Sequence, residues 1–196
     1  MIPARMIDAL RARYSEPGRH YHSWAHIEAL MRHYRRWEAT FHRPVPVLWA
    51  LYFHDAIYDP TEKDNEEQSA ILMEREAKDH LPADDIAFAA TIVRATAAHK
   101  VPDGMSQDAA ADTALFLDLD LSILGAPTHI YDRYETDIRK EYAFVPEEAF
   151  RAGRGAILKG FLARERLYLT DIAHSEWDAL ARENMKRAVA ALEAAA

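Results

Sequence analysis

Three histidine- and aspartate-bearing segments carry the chemistry this sequence could do: RHYHSWAHI, ALYFHDAIYD and LDLDLSILG. The middle one sets His54 and Asp55 inside or at the end of a run that is apolar nearly all round. A buried imidazole or carboxylate without a partner costs about 1–3 kcal/mol or more, and one metal ion would partner both. Alone the dipeptide says little, because with 10 His in the chain such a pair is expected by chance, and a capping Asp beside a surface His is then the default explanation. The flanking segments change that balance. His22 and His26 are four apart and face the same way if the first turn of their helix is formed. Asp118 and Asp120 are embedded among Leu115, Phe116, Leu117, Leu119 and Leu121, a poor setting for a solvated face. One His, a His-Asp pair and a remote Asp supply two neutral nitrogens and two anionic oxygens, enough to neutralise a divalent cation. Mn²⁺, Fe²⁺, Ni²⁺, Zn²⁺ and Mg²⁺ all accept such a set. Residues two apart on a helix point about 200° from each other, so only one of Asp118 and Asp120 can face the ion.

Helices are the elements that must position these groups. Trp24, Ile27, Met31, Tyr34, Trp37 and Phe41 form a stripe at spacings of three and four, with Ser23 placed to cap it. Pro44 and Pro46 restart the chain before Val47 to Ile57, a buried central helix. Thr61 with Asp64 three residues on resembles a capping box opening a helix that runs to about His80. Ile86, Ala89, Ile92, Thr96 and His99 share one face of the next helix, closed by Pro102 and Gly104. LDLDLSI alternates as a strand would, yet no partner strand exists to satisfy its backbone groups, so it reads as helical. Further stripes follow Pro127 (Tyr131, Tyr134, Ile138, Tyr142) and Pro146 (Phe150, Ile157, Phe161). Ser175 and Asp178 cap a last helix with Trp177, Leu180 and Leu192 inward. The expected architecture is one all-α domain over residues 1–196, of about eight or nine helices.

Composition removes several function classes. With 49% hydrophobic and 29% charged residues in 196, the chain is an ordinary globule. Lys and Arg number 24 against 32 Asp and Glu, a net charge of −8 that repels a nucleic-acid backbone. The absence of Cys excludes disulfides, thiol nucleophiles and thiolate metal sites. No run reaches the roughly 20 apolar residues of a membrane span. The N-terminal segment lacks a secretory pattern and reads as the first amphipathic helix of a cytoplasmic protein.

His26, the His54-Asp55 pair and a distal Asp in LDLDLSILG resemble the metal-binding pattern of the HD-domain superfamily of metal-dependent phosphohydrolases, most closely its small predicted phosphohydrolases. The similarity extends in order through RHYHSWAHI, FHDAIYD, NEEQSA, LDLDLSILG, YDRYETDIRKEY and RAGRGAIL. The resemblance implies an all-helical fold, a divalent metal held between helices by His26, His54, Asp55 and a distal Asp, and hydrolysis of a phosphate ester. Relatives act on nucleotides, cyclic nucleotides or alarmones, so the substrate does not carry over. The family's ligand context matches Asp120 better than Asp118. A Glu on the helix after the His-Asp pair contributes to related sites, which selects Glu67 as a general base beside Asp55, although first-turn acids complementing the helix dipole explain Glu66 and Glu67 as well. Two-metal relatives add histidines in the middle of the chain, and His99 matches such a position; a packed histidine is the alternative. His22 is assigned to substrate or a second metal.

Arg154 shares a face with Phe150, Ile157, Leu158 and Phe161, and Arg139 lies beside Glu141 and Tyr142; both are candidates to grip a phosphate. An internal pair with Asp137 or Glu141 is the competing explanation. The expected function is hydrolysis of a small phosphorylated metabolite by a metal-activated water. The alternative is a nucleotide-binding or sensor module that keeps the metal pocket without turnover. A two-iron oxygenase would need more His ligands than the sequence supplies. Neither a nucleic-acid polymer nor a membrane is an expected partner, and a homo-oligomer is left open.

Overall fold

LDLDLSI, the one segment whose pattern argues for a strand, is helical: it finishes an α-helix and continues into a 3-10 turn. The computed structural model describes residues 2–194, and no strand occurs among the described residues. They form α1 (Ala4–Arg13), α2 (Trp24–Trp37), α3 (Pro44–Phe53), α4 (Asn65–Ala77), α5 (Ala83–Ala95), α6 (Gln107–Asp120), α7 (Thr128–Glu141), α8 (Glu147–Leu162) and α9 (Asp171–Ala194), with 3-10 turns at Glu38–Thr40 and Leu121–Gly125. No helix among the described residues is long and apolar enough to cross a membrane. The chain folds as two compact units, Met1–Leu119 and Asp120–Ala196.

In the first unit α3 is the central element. Pro44 opens it at a position where a missing N–H costs nothing. Val47, Trp49, Ala50, Leu51 and Phe53 are all buried, each large side chain contributing about 1.5–3 kcal/mol, and α2, α4 and α5 cover them. Asp112 of α6, itself buried, accepts the backbone N–H groups of His42 (2.8 Å) and Arg43 (2.7 Å), which fixes the entry into α3.

The second unit is organised by α9, which lies against the Leu121–Gly125 turn and α8. Asn184 donates to the carbonyls of Leu124 and Ala126 at 3.0 and 2.9 Å, and the Tyr168 hydroxyl to that of Leu121 at 3.0 Å. Gly125 is needed for this approach, because a Cβ there would sit 2.5 Å from the Trp177 Cβ.

Several local expectations are corrected. Ser23 occupies the N-cap of α2, but its hydroxyl makes no capping bond and instead meets the His20 carbonyl at 3.5 Å. α2 ends at Trp37, before Phe41. Thr61 is held by Asp59 through both its N–H and its hydroxyl, so α4 starts at Asn65. α5 stops at Ala95, and His99 lies beyond it in a turn at φ 46°, a left-handed conformation more accessible to His than to most side chains. α9 begins at Asp171, ahead of Ser175. Ile157 is 53% exposed instead of inward, and Leu180 and Leu192 are half-buried.

Candidate metal centre

Each histidine of the group is presented by a helix end. His26 lies in the first turn of α2 and is 6% exposed; His54 is the C-cap of α3 and is 1% exposed. Asp120 is the last residue of α6, whose other residues belong to the first unit, as do α2 and α3. Ligand atoms of His26, His54 and Asp120 all lie within 4.8 Å of one another, an arrangement that could hold a metal ion. Asp55 joins them: its Oδ2 is 3.1 Å from His54 Nε2 and 3.9 Å from His26 Nε2, and the two Nε2 atoms are 3.2 Å apart.

The donor chemistry fits a cation. His54 Nδ1 is 2.9 Å from the Leu51 carbonyl, which can only accept, so Nδ1 carries the proton and Nε2 of the neutral ring presents a lone pair. That lone pair faces the Asp55 carboxylate oxygen, and two acceptors so close repel unless a cation, proton or metal, lies with them. Ligands held about 2.1 Å from one divalent ion are about 3.0 Å apart when adjacent in an octahedron, about 3.4 Å in a tetrahedron and about 4.2 Å when opposite. The spacings among His26, His54 and Asp55, at 3.1, 3.2 and 3.9 Å, fall within these values. Around the group, the Phe116 ring stands edge-on to His54 at 5.9 Å and the Tyr21 ring is 4.9 Å from His26.

His26, His54 and Asp120 form one group, and Asp55 lies beside its two histidines. Asp120, not Asp118, joins the two histidines in the group; Asp118, two residues back on α6, is buried at 1% exposure.

The remaining candidates are placed differently. His22 precedes α2 and stacks on Tyr58 (4.2 Å between ring centroids, 26° between planes), with its ring 6.4 Å from that of His26. Glu67 is exposed, and both its oxygens are taken by Arg94, at 2.7 Å from Nε and 2.8 Å from Nη2. The hydrogen bond from Arg94 holds its carboxyl below the ordinary glutamate value, which weakens it as a proton acceptor. His99 sits in the turn after α5 and is outside the group. Arg139 lies against the C-terminal loop of α7, bonding Glu147 at 2.9 Å and the carbonyls of Tyr142 and Val145 at 2.6 and 3.1 Å. Arg154, 8% exposed, grips both oxygens of Glu135 at 2.9 Å and the Tyr134 hydroxyl at 2.8 Å. Burial opposes its charge, but Tyr134 and Glu135 more than offset this and raise its pKa. Both arginines therefore have the internal partners that were the alternative to phosphate binding, though the acids are Glu147 and Glu135 in place of Asp137 or Glu141.

Sequence reasoning passed over Tyr14 and Arg19, which touch the backbone of Asp55. An arginine in a Pro-Gly turn reads as a solvated loop residue, and only the fold brings it to the end of α3. Compared with known proteins, the chain matches no family model, no curated protein and no solved structure.

Proposed function

We propose that this chain is a metal-dependent phosphohydrolase of the HD type acting on a small phosphate ester. The observation that carries the reading is the grouping of the buried His26 and His54 with half-buried Asp120, and of Asp55 beside the two histidines. A divalent ion held there would polarise a phosphoryl oxygen and lower the pKa of a water. The chain's own part is to keep His54 in the tautomer that offers Nε2, through Leu51; to provide two carboxylates that balance a 2+ charge; and to shield the group with Phe116. Mixed nitrogen and oxygen ligation leaves Mn²⁺, Fe²⁺, Ni²⁺, Zn²⁺ and Mg²⁺ all eligible.

The engagement of Glu67 with Arg94 favours a second reading, a phosphate-ligand sensor that holds metal without turnover. Turnover of an aryl phosphate and of a panel of phosphorylated metabolites, with added Mn²⁺, separates the two. A hydrolase shows metal-dependent release of phosphate that is lost in His54→Ala and Asp55→Ala. Metal uptake with no turnover of any ester supports the sensor and contradicts the hydrolase.

A further inference from the structure

We infer that Arg19 is a positioning residue for this centre, clamping the backbone that carries Asp55; the inference rests on the metal reading above. The Arg19 side chain is 2% exposed. Its Nη1 donates to two carbonyls from different segments, His22 at 3.1 Å and Asp55 at 2.7 Å, and its Nη2 donates to Ala56 at 3.0 Å. Nε faces the Glu16 carboxylate at 3.5 Å. The guanidinium lies 5.1 Å from the Tyr14 ring centre and 5.5 Å from that of Tyr58, the ring on which His22 stacks.

Tyr14 completes the clamp. Its hydroxyl accepts the Asp55 N–H at 3.3 Å and donates to the Tyr52 carbonyl at 3.1 Å. The backbone N–H and C=O of Asp55 are therefore both held by side chains from the segment ahead of α2. The carbonyls past a helix end have no partner in the helix, and here a buried cation receives them, at the end where the helix dipole favours positive charge. A planar fork can bridge three carbonyls at once; the ammonium of lysine is a single point on a flexible stem. The backbone so anchored carries the carboxylate whose Oδ2 is 3.1 Å from His54 Nε2.

Charge and position make opposite demands. A buried cation near the centre repels a metal ion, so if Arg19 acted by charge alone, removing that charge would tighten metal binding. If it acts by holding Asp55, removal loosens binding despite the relieved repulsion. The test is Mn²⁺ titration of metal-stripped protein for wild type, Arg19→Lys, Arg19→Met and Tyr14→Phe, with folding followed by circular dichroism. Arg43→Lys is the control: Arg43 precedes α3 at its other end and pairs with Asp85. Expected is a rise in Kd of about ten- to a hundredfold in both Arg19 variants, a rise in Tyr14→Phe, and wild-type affinity in Arg43→Lys. Folded Arg19 variants that bind as tightly as wild type, or tighter, overturn the inference while leaving the metal reading intact. If neither Arg19 variant folds, Tyr14→Phe decides, and wild-type affinity there overturns the clamp. A wild-type protein that takes up no Mn²⁺ overturns the metal reading and the inference with it.

Discussion

Arg154 illustrates what a single residue's position does and does not reveal. Its inward face was legible from the spacing to Phe150 and Leu158, which are buried, although Ile157 of the same stripe is exposed and Phe161 half-buried. Its partner was not, because helical periodicity assigns a face but cannot say which acid of another helix meets it; Glu135 does. Arg154→Lys keeps the charge but loses the two-pronged grip, and should destabilise the protein by about 1.5–3 kcal/mol, seen as a lower Tm, with metal content unchanged. Normal stability with impaired phosphate-ester turnover would return Arg154 to the substrate. Glu67 adds a pH dependence. Its carboxyl is held below the ordinary value by Arg94, so the bridge contributes above the ordinary glutamate pKa of about 4.3 and is lost as pH falls through the depressed value. Glu67→Gln should therefore be slightly less stable than wild type near neutrality, and the difference should disappear as pH falls below about 4.3; the pair is exposed and salt should weaken the effect.

At the scale of elements, the helices were legible where apolar stripes are long, and their ends were not. α4 begins later than the Thr61 signal because Asp59 takes Thr61 into its own turn, and α5 ends at Ala95, leaving His99 beyond it in a left-handed turn. Asp120 could be favoured over Asp118 only by resemblance. The fold supplies the reason, since α6 brings Asp120 to the two histidines. Asp112 was missed because its function, receiving two N–H groups ahead of α3, joins residues 70 and 69 apart in sequence. Asp112→Ala should cost about 1–3 kcal/mol for each N–H left without a partner, and Asp112→Asn less, as measured by urea unfolding. Gly125→Ala should cost about 1–3 kcal/mol by forcing the turn away from Trp177. An unchanged midpoint would show that the turn yields freely.

For the whole molecule, the acidic balance that argues against nucleic acid also favours uptake of cations, and under the proposed reading a site built on residues of α2, α3 and α6 would tie metal binding to the folded state. Saturation at a hundred times Kd should therefore stabilise the protein by about 2.7 kcal/mol, provided the unfolded chain binds little. The all-helical class followed from periodicity together with the lack of a partner for the one alternating segment. The most direct test of the central claim is the equilibrium uptake of Mn²⁺ by metal-stripped wild type and by folded His54→Ala. The account predicts about one ion per wild-type chain and a sharp loss in the variant; no uptake by wild type, or undiminished uptake by His54→Ala, would contradict it.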